Sequence, residues 1–270
     1  MLESTDQHNF ETFSAIQGDN KIIVAEEIAP TLAEVDMGSD TLNEARDWML
    51  NWDYQLQMDS PQGALFMHFW RRLMYNLYAD QLDDITDPSG SGMNMWATSS
   101  LMNDLNNIWW DDINTDETES RDDIITRSFS EGYDAAVDQL GDDRTQWAWG
   151  TMHTATFVSN PLGQSGIALI EDFVNAGPYA VSGGASIVNA TSWRLSTYEV
   201  RAVPSMRMIL DFSDLSNSQT IHTTGQSGHP ASEHYSDFID SWRNIEYHPM
   251  YWTREQVDNH AANTLTLQPQ

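Results

Sequence analysis

The chain has 270 residues, with 41 acidic against 12 basic side chains for a formal net charge of −29, and no cysteine. That balance leaves no basic stripe to neutralise nucleic-acid phosphates and excludes an anionic membrane surface as a partner. The absence of cysteine removes disulfides, thiolate zinc sites and cysteine nucleophiles together.

Eleven tryptophans and 40% hydrophobic residues supply core material for one or two domains. No run reaches the ~18 apolar residues of a membrane span. The opening "MLESTDQHNFETF" has neither the basic nor the apolar region of a signal peptide. Lys21 is the single lysine, and with the acid excess it points to a salt-adapted source.

The first half reads as helices. In "TLNEARDWMLNWDY", Leu42, Ala45, Met49 and Trp52 recur at helical steps, and Thr41 with Glu44 forms a capping-box pattern. Ser60-Pro61 opens the next helix, with Leu65, Phe69, Leu73 and Leu77 on one face. "DPSGSGMN", near 87–94, is a turn-rich break. A third helical region spans about 120–140 and ends at Gly141. Before it lies "WWDDINTDETESRDD", in which Glu117 stands where a calcium loop needs glycine. That segment therefore reads as a solvated, acidic helix start.

From about residue 147 the texture turns to short strands rich in threonine, valine and isoleucine, punctuated by glycine, proline and asparagine. Met206, Met208 and Leu210 alternate with Arg207, Ile209 and Asp211. Thr253 and Gln256 cap a short closing helix. Helices first and strands afterwards predict an α+β fold, with a mainly helical segment over 1–146 and a mainly β segment over 147–270.

The densest chemistry lies in "TIHTTGQSGHPASEHYSDF", residues 220–238. A nucleophile elbow needs G-x-S-x-G, but glycine follows Ser165 and Ser227 directly, so both "GQSG" sequences read as turns. His153, His222 and Asp211 could complete a triad with Ser227 only if the fold brings them together. His229 and His234, with Glu233 and Asp237 nearby, lack the H-E-x-x-H spacing of a zinc helix. His68, His153, His222 and His248 stand singly and read as hydrogen-bonded structural residues. The pairs Trp109-Trp110 and Trp147/Trp149 read as core.

Four motifs carry a resemblance: "WGTMHTATFVSNPLG" (149–163), "GPYAVSGGASIVNATSW" (177–193), "VPSMRMILDFSDLSNS" (203–218) and "TGQSGHPASEHYSDFIDSWRNIEYHPMYWTREQV" (224–257). In this order they resemble the C-terminal part of the β-chain of the penicillin acylase (penicillin amidase) family of N-terminal-nucleophile hydrolases. The helical half, with "FSAIQGDNKIIVAEEIAP" and "LQMDSPQGALFMHFW", is also similar to that family.

The resemblance implies part of an αββα sandwich made by cleavage of a precursor. It also implies hydrolysis of a non-peptide amide, such as a β-lactam side chain or an acyl-homoserine lactone, by a serine at the β-chain N-terminus. No Ser-Asn-Asn-like start occurs in this sequence. The resemblance therefore places the nucleophile, the oxyanion asparagine and the calcium ligands of the complete enzyme upstream, and assigns no catalytic, cofactor or metal residue here.

Smaller departures are Asn160, where relatives often have histidine, and Val203, where glycine often stands. The implied partners are the missing N-terminal part of the β-chain, the α-chain and a small amide substrate. The implied location is periplasmic or extracellular. A non-catalytic binding or assembly subunit is the alternative reading.

Overall fold

A computed structural model describes residues 2–3, 5–82 and 90–269. The first part of the turn-rich break, 87–89, lies outside these residues. The chain forms two compact units, one of residues 18–204 and one of residues 1–17 with 205–270.

In the larger unit, helices α2 (Ile23–Glu34) and α3 (Asp40–Leu50) lead to α4 (Pro61–Tyr78), followed by α5 (Met93–Leu101) and α6 (Arg121–Leu140). Helix α4 starts as the sequence predicts, with Pro61 in its first turn and the Ser60 hydroxyl accepting from the Gly63 N–H. Its buried residues surround most of the helix, from Ala64 to Trp70 and on to Tyr78, so it is the central element of the core. Helix α6 crosses α4 at Gly132, where an added Cβ would sit 2.7 Å from the Phe69 Cα. Only hydrogen fits there.

Helix α3 is capped differently from expectation. Ser39 accepts from the Leu42 N–H, and Asp40 is the first helical residue, so Thr41 and Glu44 both lie inside the helix and form no box. The capping box appears instead on α6, between Ser120 and Asp123, and the helix ends at Gly141 with φ 91°. The acidic stretch before it closes on itself. Asp111 accepts from the Glu119 N–H, Glu119 from the Asp112 N–H, and Asp112 meets Arg127 at 3.1 Å.

Short α7 (Trp149–Met152) then leads to β1 (Thr154–Phe157), α8 (Ala168–Val174) and β2 (Ala176–Ala180), with β1 and β2 antiparallel. Strands β3 (Ser192–Trp193) and β4 (Val200–Ala202) form a second antiparallel pair. These pieces are tied to the segment before α4, where the Gly183 N–H donates to Leu56 O and the Met58 N–H donates to Ser182 Oγ. Trp110, Trp147 and Trp149 are buried in this core, as the sequence suggests.

The smaller unit holds α1 (Phe10–Gln17) and an antiparallel sheet of β5 (Met206–Ile209), β6 (Gln219–His222) and β7 (His248–Pro249), in the order β5-β6-β7. Helices α9 (Ile239–Arg243) and α10 (Arg254–His260) complete it, and α10 carries the predicted Thr253/Gln256 box.

The alternation on β5 runs opposite to its hydropathy. Met206 and Met208 are exposed, while Arg207 points inward. Its guanidinium donates to Trp242 O at 2.8 Å and lies 5.2 Å from that indole. Two strong interactions that a methionine could not make outweigh the cost of burying the cation. The edge of the sheet at β5 is covered by α1, whose Gln17 side chain donates to Met208 O.

Candidate functional site

The 220–238 segment leaves β6 at His222 and folds into a closed loop. The Ser227 N–H donates to His234 O at 2.9 Å and the Phe238 N–H to Thr224 O at 2.7 Å. Gly225 packs directly beneath the His234 carbonyl, where any side chain would collide. The Ser227 hydroxyl accepts from the His229 N–H at 3.1 Å, the geometry of a serine turn. No imidazole nitrogen among the described residues reaches that oxygen.

The histidines are each used locally. His222 contacts Thr223 O at 2.6 Å through Nδ1, and Gln226 at 2.7 Å through Nε2. His229 Nδ1 accepts from the Ala231 N–H. His234 Nδ1 meets Asp237 at 2.9 Å, and that hydrogen bond raises its pKa above the ordinary value. Among the described residues no serine or threonine hydroxyl is hydrogen-bonded to this imidazole. Asp211 is saturated by Ser213, Asp214 and Asn217, whose hydrogen bonds hold its carboxyl below the usual range. Within the smaller unit, His222 and Asp211 are therefore not assembled around Ser227. Among the described residues no group of three or more His, Asp or Glu side chains is placed to hold a metal.

Two buried histidines differ from each other. His153 contacts Tyr198 O and Thr191 Oγ1, both at 2.9 Å, and stacks on Trp149 at 4.5 Å. It is the hydrogen-bonded structural residue the sequence predicts. His68 is buried on α4 with no hydrogen-bond partner for Nε2, so for this residue that expectation fails. Burial lowers both pKa values to about 4, with Arg71 and Arg72 adding to the shift at His68.

A cavity that sequence reasoning did not anticipate lies in the smaller unit, about 470 Å³ in volume, between the start of α1 and the turn after β5. Phe10, Phe13 and Phe212 line it with His8, Asp211 and Gln219. Its one carboxylate is the saturated Asp211. Its imidazole, His8, meets Thr12 Oγ1 at 3.3 Å through Nδ1 and Leu2 O at 2.9 Å through Nε2. Its formation depends on residues some 200 positions apart, which no local motif marks.

Helices and antiparallel strands in this arrangement have a counterpart among solved structures. Thermostable penicillin G acylase from Alcaligenes faecalis superposes with a TM-score of 0.59 over 99% of this chain and 51% of its own, at 13% identity. The fold is that of the matched part of this penicillin acylase. The penicillin amidase family model matches residues 1–259, and the chain belongs to that family.

Among curated relatives, acyl-homoserine lactone acylase QuiP from Pseudomonas aeruginosa is 28% identical over 245 residues, covering 84% of this chain and 29% of the relative. The Pseudomonas fluorescens (strain Pf0-1) counterpart is 30% identical over 236 residues, covering 84% and 28%. Penicillin acylase 2 proenzyme from a Pseudomonas species is 23% identical over 261 residues, covering 86% and 29%. The chain thus spans under a third of the length of these relatives.

Proposed function

We propose that the chain supplies the C-terminal part of an acylase-type amidohydrolase that cleaves a linear, non-peptide amide into a carboxylic acid and an amine. The reading rests on the family match over residues 1–259 by a chain that aligns with only 29% of the Pseudomonas aeruginosa relative. The nucleophile is a serine at an N-terminus generated in the part of the enzyme that this chain does not cover. Its hydroxyl adds to the amide carbonyl, the amine leaves with a proton, and water then releases the acid. The names of the relatives favour an acyl-homoserine lactone or a penicillin as substrate.

In this reading the described residues contribute scaffold. The partners are the remaining β-chain and α-chain, calcium belongs to the complete enzyme, and the enzyme works outside the cytoplasm. The experiment is an amide-hydrolysis assay on the chain alone and on the chain reconstituted with the complementary polypeptide of a relative. Turnover is expected only after reconstitution, and unchanged by Ser227→Ala. Turnover by the chain alone, abolished by Ser227→Ala, refutes the reading.

A further inference from the structure

Between Arg144 and Arg194 the chain carries two charged side chains, Glu171 and Asp172, where its overall charged fraction of 20% would put about ten. Part of this stretch is core, but residues 158–173 form surface. Leu169 and Phe173, one turn apart on α8, are 82% and 60% exposed. Val158, Leu162 and Ile167 join them in the open.

The surface is built rather than loose. Asn175 accepts from the Ser159 N–H and donates to Gly163 O, both at 3.0 Å, and Glu171 accepts from the Gly166 N–H at 2.7 Å. At their fractional exposures these five side chains present roughly 500 Å², near the upper end of what a monomer leaves bare. Charge depletion with exposed leucine and phenylalanine is the composition of an interface core. On a protein of net charge −29 so few charges over so long a stretch also depart from the composition that keeps the chain soluble.

We propose that residues 158–173 are the docking surface for the part of the acylase polypeptide that this chain does not cover. The proposal rests on the function inferred above. About seven tenths of the Pseudomonas aeruginosa relative lies outside the matched stretch and must pack somewhere. A second copy of the chain fits less well. It would bring its own charge of −29 against a chain of the same charge.

The test mixes the chain with the complementary N-terminal polypeptide of the Pseudomonas aeruginosa relative, in molar KCl to screen repulsion. Hydrogen exchange at 158–173 should slow in the complex, and Leu169→Asp or Phe173→Asp should weaken binding at least tenfold. Both side chains point into solvent, so unchanged thermal melts will show that the variants fold, and exchange on the unaltered chain gives an answer independent of them. Ile108→Asp, at another exposed apolar position of the same unit, should bind as the parent does. Protection elsewhere, or full binding by the 169 and 173 variants, overturns the surface and leaves the proposed function standing. A homodimer closing on these residues overturns the occupant. No complex with a folded chain overturns both the surface and the function.

Discussion

Acidification should destabilise the larger unit well above the pH at which its carboxylates titrate, and His68 and His153 are the reason. Burial holds both at a pKa of about 4 in the folded chain, against about 6.5 when unfolded. Between those values the unfolded state binds protons that the folded state refuses. Stability therefore rises with pH through this window, and is lost as pH falls below 6.5. A shift of that size removes about 2 kcal/mol per histidine by pH 5 and about 3 kcal/mol by pH 4.

The carboxylates with lowered pKa, such as Asp123 and Asp143, act in a different window. Their contribution is present above the unfolded value near 4 and is lost as pH falls through their lower folded values. His234 has the opposite sign, because its raised pKa gives stability present below 6.5 and lost as pH rises through the folded value. It is exposed, so its effect is small.

The clean experiment is His68→Leu. Nε2 of His68 has no partner to lose, so at pH 7.5 the variant should match the parent or exceed it by about 1 kcal/mol. Urea unfolding by tryptophan fluorescence at pH 7.5 and pH 5, in 2 M KCl, should show the variant losing about 2 kcal/mol less than the parent. Relief of carboxylate repulsion on acidification is common to both proteins and cancels. Equal losses in the two proteins would refute the assignment of this window to His68.

Further outcomes follow from named contacts. Gly132→Ala should cost about 1–3 kcal/mol, because the α4–α6 crossing has no room for a methyl at the Phe69 backbone; chemical denaturation measures it. Ser120→Ala should cost about 1 kcal/mol by removing the capping box of α6. Arg207→Met should lower the melting temperature despite its better hydropathy, since Trp242 O loses a charged donor. If the acid excess reflects a salt-adapted source, molar KCl should raise the melting temperature; equal values in 0.1 M and 2 M salt count against that hypothesis.

What was legible in the sequence were features set by neighbours in the chain. The Ser60-Pro61 start, the Gly141 stop and the Thr253/Gln256 box depend on residues within one helical turn. Where two local signals competed, the choice lay elsewhere: Ser39 won the α3 cap from Thr41, so that the helix begins two residues earlier and Asn43 can reach the Met37 N–H and Asp36. The cavity beside α1 and the unpartnered His68 Nε2 were not legible, because each depends on which distant segments pack together.

Arg207 and Ser227 posed two kinds of question: the alternation on β5 left its inner face undecided, whereas the spacing around the serine could be read locally. A period-two alternation identifies two faces, but not which face is buried. That choice depends on the ligands offered by the covering element, here the Trp242 carbonyl and indole at the end of α9. Ser227 posed a local question instead. A glycine on its C-terminal side removes the geometry that would lift its hydroxyl out of a strand-to-helix turn. Gly225, on its other side, passes under His234, and the hydroxyl folds onto its own backbone. A serine whose oxygen already accepts a backbone N–H is held in a turn. The pair of His234 and Asp237 beside it lies on the surface and ties the loop to itself.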